Sequence, residues 1–177
     1  MRARSVCEEI LDRIFQEYSW LELYITKQSL YSLAGISEAN HTSYAQHYKD
    51  NIYKIFEEIC ELLPVIHNDK IKEIILYILN NPDGDIKQKA IAKKFYKSSS
   101  YLSTYFVAHT EIRFVDYLTT VRLKRARFLL RETNMKVSDI ADRLDYKDMG
   151  YFSRIFKKYF GINPSECCID NSYSYQI

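Results

Sequence analysis

The sequence has few of the residues that interrupt helices. Only four Gly and three Pro occur among 177 residues, which favours a mostly helical chain because these two residues build turns and end helices. No apolar run approaches the roughly 18 residues of a membrane helix, and no hydrophobic signal segment follows Arg2 and Arg4. We therefore expect an all-α protein that lies in the cytoplasm and has no part in a membrane.

The sequence also lacks the usual patterns of metal, redox and catalytic sites. The four cysteines have no CxxC spacing, and the adjacent pair is poorly placed to share a metal ion or close an easy disulfide: Cys7, Cys60, Cys167 and Cys168. The four histidines share no ligand spacing with each other, with Cys or with paired carboxylates: His41, His47, His67 and His109. No Gly-rich phosphate loop or nucleophile elbow is present. We predict reduced thiols, no metal, no cofactor and no enzymatic activity.

Positive charge is concentrated in one part of the chain. The total of 25 basic and 23 acidic residues gives a net charge of only +2. Residues 67–168, however, contain 19 Lys and Arg against 12 Asp and Glu, a net charge of +7, whereas residues 1–66 contain 6 against 10, a net charge of −4. A basic segment of this kind is typical of a surface that meets nucleic acid.

The stretch from Val137 to Pro164 reads as two short helices joined by a tight turn. Ile140, Ala141 and Leu144 share one face of the first helix. The second helix has an apolar face at three- and four-residue steps, formed by Met149, Phe152, Ile155, Phe156 and Tyr159. Its opposite face is polar and basic, with Gly150, Tyr151, Ser153, Arg154, Lys157 and Lys158. The pattern fits a helix-turn-helix; the alternative is an ordinary amphipathic helix with a solvated face.

The same pattern occurs a second time, about 50 residues upstream. Ile91, Ala92 and Phe95 repeat the spacing of Ile140, Ala141 and Leu144. After one extra residue in the later turn, a second set also matches, since Tyr101, Leu102, Ser103 and Phe106 correspond to Tyr151, Phe152, Ser153 and Phe156. An internal repeat of a supersecondary unit is stronger evidence than either copy alone. It favours the DNA-binding interpretation.

These residues give the segment from about Asp69 to Cys168 a resemblance to the DNA-binding domain of AraC/XylS-type bacterial transcription regulators. The most specific part is the run from Tyr151 to Pro164, supported in the preceding helix by Tyr117, Leu118, Arg122, Ala126, Leu129 and Leu130. The resemblance implies two helix-turn-helix subdomains, joined by one long helix, that enter successive major grooves. The run Tyr101-Leu102-Ser103 resembles most closely the response-regulator branch. Three positions depart from the family pattern: Asp145 and Glu111 replace usual glycines, and Cys168 replaces a usual basic residue.

The chain divides by its patterns into an N-terminal segment 1–66, a DNA-binding domain 67–168 and a tail 169–177. Apolar periodicity predicts a helix over 5–33, broken near Ser19, and another from Tyr44 to Leu63. Their apolar stripes could pair with a second copy of the chain or pack within one chain; both alternatives stay open. The predicted parts of the domain are a first helix-turn-helix at about 85–110, a connecting helix at about 113–131 and a second helix-turn-helix at about 137–160.

Two helix starts carry capping signals. Asp85, with Gln88 three residues later, predicts a variant of the capping box at the start of the first helix-turn-helix. Asn163, Pro164 and Glu166 predict a capped last helix in the same way.

The family resemblance also implies which side chains would reach DNA. The base-reading candidates are Ser100, Ser103 and Thr104 in the first unit and Met149, Gly150, Tyr151, Ser153 and Arg154 in the second. Only Arg154 can make a bidentate contact to guanine, so we expect the second unit to supply most of the sequence preference. The candidates for phosphate contacts are Lys93, Lys94, Lys97, Arg125, Arg127, Lys157 and Lys158.

The function predicted from the sequence is sequence-specific binding to double-stranded DNA and regulation of transcription. The expected partners are duplex DNA, RNA polymerase and, through residues 1–66, a second copy of the chain. The alternative is a helical protein-interaction adaptor derived from such a regulator, with weak or no specific DNA binding, because the first recognition helix has no Arg or Lys on its exposed face. Residues 1–66 show neither a β-rich ligand domain nor a receiver pattern. Either the protein lacks its own sensor or the sequence is part of a longer chain.

Overall fold

The computed structural model describes residues 2–27, 41–64 and 66–169, and all regular elements in these ranges are helical. The α-helices are α1 Arg2–Glu17, α2 His41–Leu62, α3 Asp69–Asn80, α4 Gln88–Lys94, α5 Ser99–Thr110, α6 Phe114–Glu132, α7 Val137–Arg143, α8 Met149–Phe160 and α9 Pro164–Ile169. A 3₁₀ turn spans Ser19–Leu23. The predicted all-α fold class is confirmed. Within the described ranges, no helix has the length and apolarity to cross a bilayer.

The chain forms two compact units, Met1–Val65 and Ile66–Ile177. In the first unit α1 ends at Glu17, so the predicted break near Ser19 is present, and Trp20 packs edge-on against the rings of Tyr18 and Tyr24. The predicted continuation of this helix over 28–33 lies outside the described residues. The core of the unit consists of Leu11, Phe15, Trp20, Leu21, Tyr24, Ile55, Ile59 and Leu62.

The apolar stripes of the first unit are only partly covered by this core. Leu21 and Ile59 are buried, whereas Ile10 is 42% exposed and Phe56 is 51% exposed. Intramolecular packing therefore satisfies one part of the predicted stripe and leaves another part facing outward.

The second unit begins with α3, whose start is fixed by Asn68. The Asn68 side chain accepts a hydrogen bond from the backbone N–H of Ile71 at 3.1 Å, which satisfies one of the free N–H groups of the first turn. One face of α3 is fully apolar and buried, and it carries Ile71, Ile74, Ile75, Ile78 and Leu79. This face anchors the helix in the unit.

The capping box predicted at Asp85 does not form in full: Asp85 Oδ1 accepts the backbone N–H of Lys87 at 3.4 Å, but Gln88 does not reach back. Helix α4 begins at Gln88, its cap residue is Lys87, and no side chain caps it. Gln88 instead donates its side-chain amide to the carbonyl of Ser99, at 2.7 Å, and to the hydroxyl of Ser103. The Gln88 side chain therefore binds α5 and not the N-terminus of its own helix α4.

The connecting helix α6 serves the two halves of the unit with different segments. Near its start, Phe114 and Tyr117 pack on Phe106 of α5, with ring centroids 4.9 and 5.3 Å apart. Near its end, four residues of α6 enter a separate core with α7, α8, α9 and the turn between α7 and α8. This core consists of Leu123, Ala126, Leu129, Leu130, Ile140, Ala141, Leu144, Tyr146, Phe152, Phe156 and Cys167. Each helix-turn-helix is therefore anchored on its own half of α6.

The last helix, α9, starts as predicted. The Glu166 carboxylate accepts hydrogen bonds from the backbone N–H and the side-chain amide of Asn163, both at 2.7 Å. These bonds hold the pKa of Glu166 below its ordinary value. Pro164 occupies the first helical position, and Cys167 is buried in the core next to α6.

Candidate nucleic-acid interface

The two helix-turn-helix units have turns of the same geometry. In the first, the carbonyl of Ala92 accepts the N–H of Lys97 at 2.8 Å, and Tyr96 lies in the left-handed region with φ 54°. In the second, the carbonyl of Ala141 accepts the N–H of Tyr146 at 2.9 Å, and Asp145 has φ 66°. The repeat seen in the sequence is therefore a repeat of backbone conformation.

Both recognition helices, α5 and α8, are capped by a side chain at the same place. Ser98 accepts the backbone N–H of Tyr101 at 3.1 Å, and Asp148 accepts that of Tyr151 at 2.9 Å. Ser98 follows the left-handed residue of its turn by two positions and Asp148 by three. The extra residue expected in the second turn is thus present.

The two non-glycine residues at usual glycine positions keep the glycine conformation. Glu111 caps the C-terminus of α5 with φ 60°, as Gly161 caps α8 with φ 79°. A left-handed conformation costs a residue with a side chain about 1–2 kcal/mol. Asp145 tolerates it better than most residue types do, whereas Glu111 is strained. The third departure, Cys168, has a side chain outside the described residues.

The exposed face of α8 holds most of the base-reading candidates. Met149, Gly150, Tyr151 and Arg154 are exposed, and Ser153 is half-buried. A Cβ at Gly150 would lie 3.2 Å from the capping oxygen of Asp148, so glycine leaves room for the cap. Within the part of the chain that the structure describes, Arg154 forms no salt bridge. Its guanidinium remains available to a partner.

The exposed face of α5 is less well equipped. Ser100 and Thr104 are exposed, but Ser103 is half-buried and its hydroxyl accepts the Gln88 amide. Tyr101, Tyr105 and His109 form a row of aromatic contacts along the helix, with centroid distances of 5.3 and 4.6 Å. The position of Ser103 argues against a base-reading role for it.

The lysine candidates for phosphate contacts lie on the surface near the recognition helices. Lys93, Lys94 and Lys97 surround the first turn, with Lys94 4.5 Å above the ring of Tyr77 and Lys97 5.0 Å above that of Tyr101. Lys157 and Lys158 are exposed in the last turn of α8. All five retain solvated ammonium groups.

The two arginine candidates lie in different environments. Arg125 is 7% exposed, and its guanidinium makes a bidentate pair with Asp83 at 2.9 and 3.0 Å. This engagement argues against the phosphate role expected for Arg125. Arg127 is half-buried and lies 4.7 Å above the ring of Phe160.

An acidic network that sequence patterns did not indicate connects the two helix-turn-helix units. Asp83 also accepts Nε and Nη2 of Arg143 at 3.1 and 2.6 Å. Burial alone would raise the pKa of Asp83, but the hydrogen bonds and charges of Arg125 and Arg143 hold it below its ordinary value. Asp145 pairs with Lys87 at 2.9 Å and with Arg122 at 3.6 Å. These long-range pairs follow no helical period, so no periodicity could have found them.

Tyr146 lies between the second turn and α8. Burial raises the pKa of its phenol to about 12, and the hydroxyl makes no hydrogen bond to the described residues. Its ring contacts Phe152 at 5.1 Å, so the side chain acts as core. In the described ranges there is also no group of three or more His, Cys, Asp or Glu that would hold a metal ion.

Comparison with known proteins agrees with this geometry. A family model described as a helix-turn-helix domain matches residues 91–167. The C-terminal domain of the two-component response regulator YesN from Fusobacterium nucleatum is 30% identical, with a TM-score of 0.51, over 57% of this chain and 99% of that one. The second unit belongs to the AraC/XylS-type helix-turn-helix family. The run Tyr101-Leu102-Ser103 predicted a likeness to the response-regulator branch, and the similarity to this response regulator agrees with that prediction.

Two further relatives define the extent of the likeness. The AraC-type fold of this unit is also found in the DNA-binding domain of AdpA, whose structure was determined with a target DNA; it is 18% identical, with a TM-score of 0.52, over 59% of this chain and 95% of that one. The Msm operon regulatory protein of Streptococcus mutans is 28% identical over 123 residues, which are 65% of this chain and 44% of that protein. The chain spans less than half the length of the curated relatives it matches.

Proposed function

We propose that the chain binds duplex DNA at specific sequences and regulates transcription, with α5 and α8 in successive major grooves. The observation that carries this proposal is the repeat of turn and cap geometry at Tyr96–Ser98 and Asp145–Asp148. The same construction presents two helices by their N-terminal turns, which is how a helix-turn-helix offers side chains to base edges. The cytoplasm, where bacterial DNA lies, is the compartment this function requires.

The charges of the second unit support DNA as the partner. The five solvated lysines next to α5 and α8 can neutralise phosphates, which supplies affinity without sequence information. Arg154 adds the one guanidinium on the exposed face of the recognition helices among the described residues, and such a group can pair with both acceptors of a guanine. Lysines therefore supply affinity and Arg154 supplies preference.

Selection of bound sites from a random DNA pool tests the proposal. The full chain should enrich a motif with two half-sites, and its affinity for the enriched duplex should fall steeply with rising salt. A shuffled duplex of the same composition is the control, since it keeps the phosphates and loses the motif. An adaptor without specific DNA binding would enrich no motif and would bind both duplexes alike.

Self-association through the first unit is a second part of the proposal. Val6 and Ile10 lie one turn apart on α1, and Tyr53 and Phe56 lie one turn apart on α2, all of them exposed. A second copy would remove these apolar groups from water. Sedimentation should show a dimer that is weakened by the double substitution Ile10→Ser and Phe56→Ser, whereas Glu57→Gln, an exposed neighbour, should leave it unchanged. A monomeric wild-type chain would exclude this part alone.

RNA polymerase is the third expected partner, because a regulator bound next to a promoter acts on transcription through the polymerase. A reporter gene behind the selected site would show the sign of regulation.

A further inference from the structure

The two recognition units are joined by more than the connecting helix. Their apolar contacts with α6 fall on opposite halves of that helix. Phe114 and Tyr117 contact the first helix-turn-helix, and Leu123 to Leu130 contact the second. The packing described here therefore connects the two helix-turn-helix units through one helix of 19 residues, about 28 Å long. A small bend in α6 would move the two recognition helices relative to each other.

Asp83 links the two helix-turn-helix units through ion pairs. It lies in the segment between α3 and α4, at the entrance of the first unit, and its two oxygens bind Arg125 on α6 and Arg143 on α7. The carboxylate thus ties the segment that leads into the first helix-turn-helix to the connecting helix and to the second helix-turn-helix. Because Arg125 is buried and bidentate, the arrangement is geometrically restricted in a way that a single surface pair is not.

A second carboxylate also links the two helix-turn-helix units. Asp145, in the turn of the second unit, pairs with Lys87 at the start of α4 and with Arg122 on α6. Asp83, which precedes the first helix-turn-helix, therefore binds Arg143 of the second, and Asp145 of the second binds Lys87 next to α4. Both carboxylates also bind α6. Two links of this kind resist rotation of the helix-turn-helix units about α6. A single link would permit that rotation.

From this juxtaposition we infer that Asp83 and Asp145 are positioning residues that set the separation and rotational phase of the two recognition helices, and thereby the number of base pairs between the two half-sites. The inference rests on the proposed function, because it assigns to these residues a spacing preference in DNA. One inserted base pair rotates a half-site by about 34° around the duplex. A protein whose helix-turn-helix units are held by Asp83 and Asp145 cannot follow that rotation. A variant without the Asp83 link can follow it by bending α6.

The test uses the full chain and the selected two-half-site duplex with zero, one or two base pairs inserted between the half-sites. For the wild type we expect one inserted base pair to weaken binding by about 100-fold, in the range lost when two linked contacts can no longer form together. For Asp83→Asn, which keeps the shape and removes the charge, we expect the penalty to fall to about tenfold or less. Arg143→Met should act in the same direction while leaving the Asp83–Arg125 pair in place.

The matched control is Asp142→Asn. Asp142 is an exposed neighbour of Arg143 on α7, and the substitution changes the net charge by the same amount as Asp83→Asn. It should keep the spacing penalty of the wild type. The double variant Asp83→Asn with Arg143→Met should be no more tolerant than Asp83→Asn alone, because Asp83→Asn already removes the charge pair that Arg143→Met removes. Equal penalties in wild type, Asp83→Asn and Arg143→Met would overturn the inference while leaving the proposed function intact.

A measurement without DNA separates failure of the inference from failure of the proposed function. Spin labels on unnatural side chains at Ala108 of α5 and Lys158 of α8, both exposed, report the distance between the recognition helices. The distance distribution should be narrow in the wild type and in Asp142→Asn, and broader in Asp83→Asn. The same width in all three proteins would overturn the inference whether or not the chain binds DNA. If no duplex is enriched, the proposed function fails, and this distance measurement alone decides whether Asp83 fixes the positions of the recognition helices.

Discussion

The side-chain amide of Gln88 donates a hydrogen bond to the hydroxyl of Ser103, and through it α4 holds the middle of the first recognition helix. The same amide binds the carbonyl of Ser99 at 2.7 Å. In the second unit the position equivalent to Gln88 is Val137, an apolar residue packed against the core. The first helix-turn-helix therefore uses one of its hydroxyls for internal contact, whereas the second has an apolar residue at the position that holds this contact.

This difference predicts that α8 reads more sequence than α5. Arg154→Ala should cost about 1–3 kcal/mol at the best site and relax the preference at one base position, because a bidentate contact to guanine is lost. Thr104→Ala should cost less, since a single hydroxyl accepts several bases. Both variants are measured against a panel of duplexes with single-base changes. An even loss over the whole panel for Arg154→Ala would assign its guanidinium to a phosphate instead.

Lys157 provides the corresponding prediction for contacts that carry no sequence information. Its ammonium group is exposed in the last turn of α8. Lys157→Ala should weaken binding to specific and shuffled duplexes by about the same factor and reduce the slope of log affinity against log salt by about one. Lys157→Arg, which keeps the charge, should retain the wild-type slope. A change in base preference with an unaltered slope would contradict the phosphate role.

The sequence allowed the helices to be predicted because their signals are local. Apolar residues at helical steps located α6 and α8 to within about two residues, and the repeat of Ile91-Ala92 at Ile140-Ala141 identified the paired helix-turn-helix units. The start of α4 was missed since Gln88 satisfies a carbonyl on another helix rather than its own N-terminus. A local capping pattern cannot reveal a competing contact 11 residues away.

The candidate site was predicted less completely, and for the same reason. The exposed faces of α5 and α8 follow from helical periodicity, whereas the occupation of Arg125 by Asp83 depends on a contact over 42 positions. A basic residue on a helix flank has the same sequence signature whether it meets solvent, a phosphate or a buried carboxylate. Only the fold distinguishes these three environments.

Glu111 offers a prediction about stability. It has φ 60° at the C-terminus of α5 and is exposed, so its side chain contributes little that would offset the strain. Glu111→Gly should raise the free energy of unfolding by about 1 kcal/mol, because glycine reaches the left-handed region without that cost. Glu111→Gln is the control, since it removes the charge and keeps the strain. If urea denaturation gives the glutamine variant the same gain, the charge of Glu111 and not its backbone is responsible.

Asp83 predicts how the second unit responds to acid. Because its pKa in the folded protein is held below that of a free aspartate by Arg125 and Arg143, the ionised form stabilises the fold. That contribution is complete above the ordinary carboxyl pKa of about 3.9, and it is lost as the pH falls through the lower pKa of the folded state. Thermal unfolding of the wild type and Asp83→Asn, measured from about pH 7 down to about pH 3, should show the variant less stable at neutral pH.

The two curves should then approach each other as the pH falls, since protonation gives the wild type the neutral side chain that the variant already has. The pKa of Glu166 is lowered as well, but that group is common to both proteins and cancels in their difference. Asp142→Asn, which removes an exposed carboxylate beside Arg143, should run parallel to the wild type over the whole range. A constant gap between wild type and Asp83→Asn would mean that Asp83 stabilises the unit through its shape and hydrogen bonds, and not through its charge.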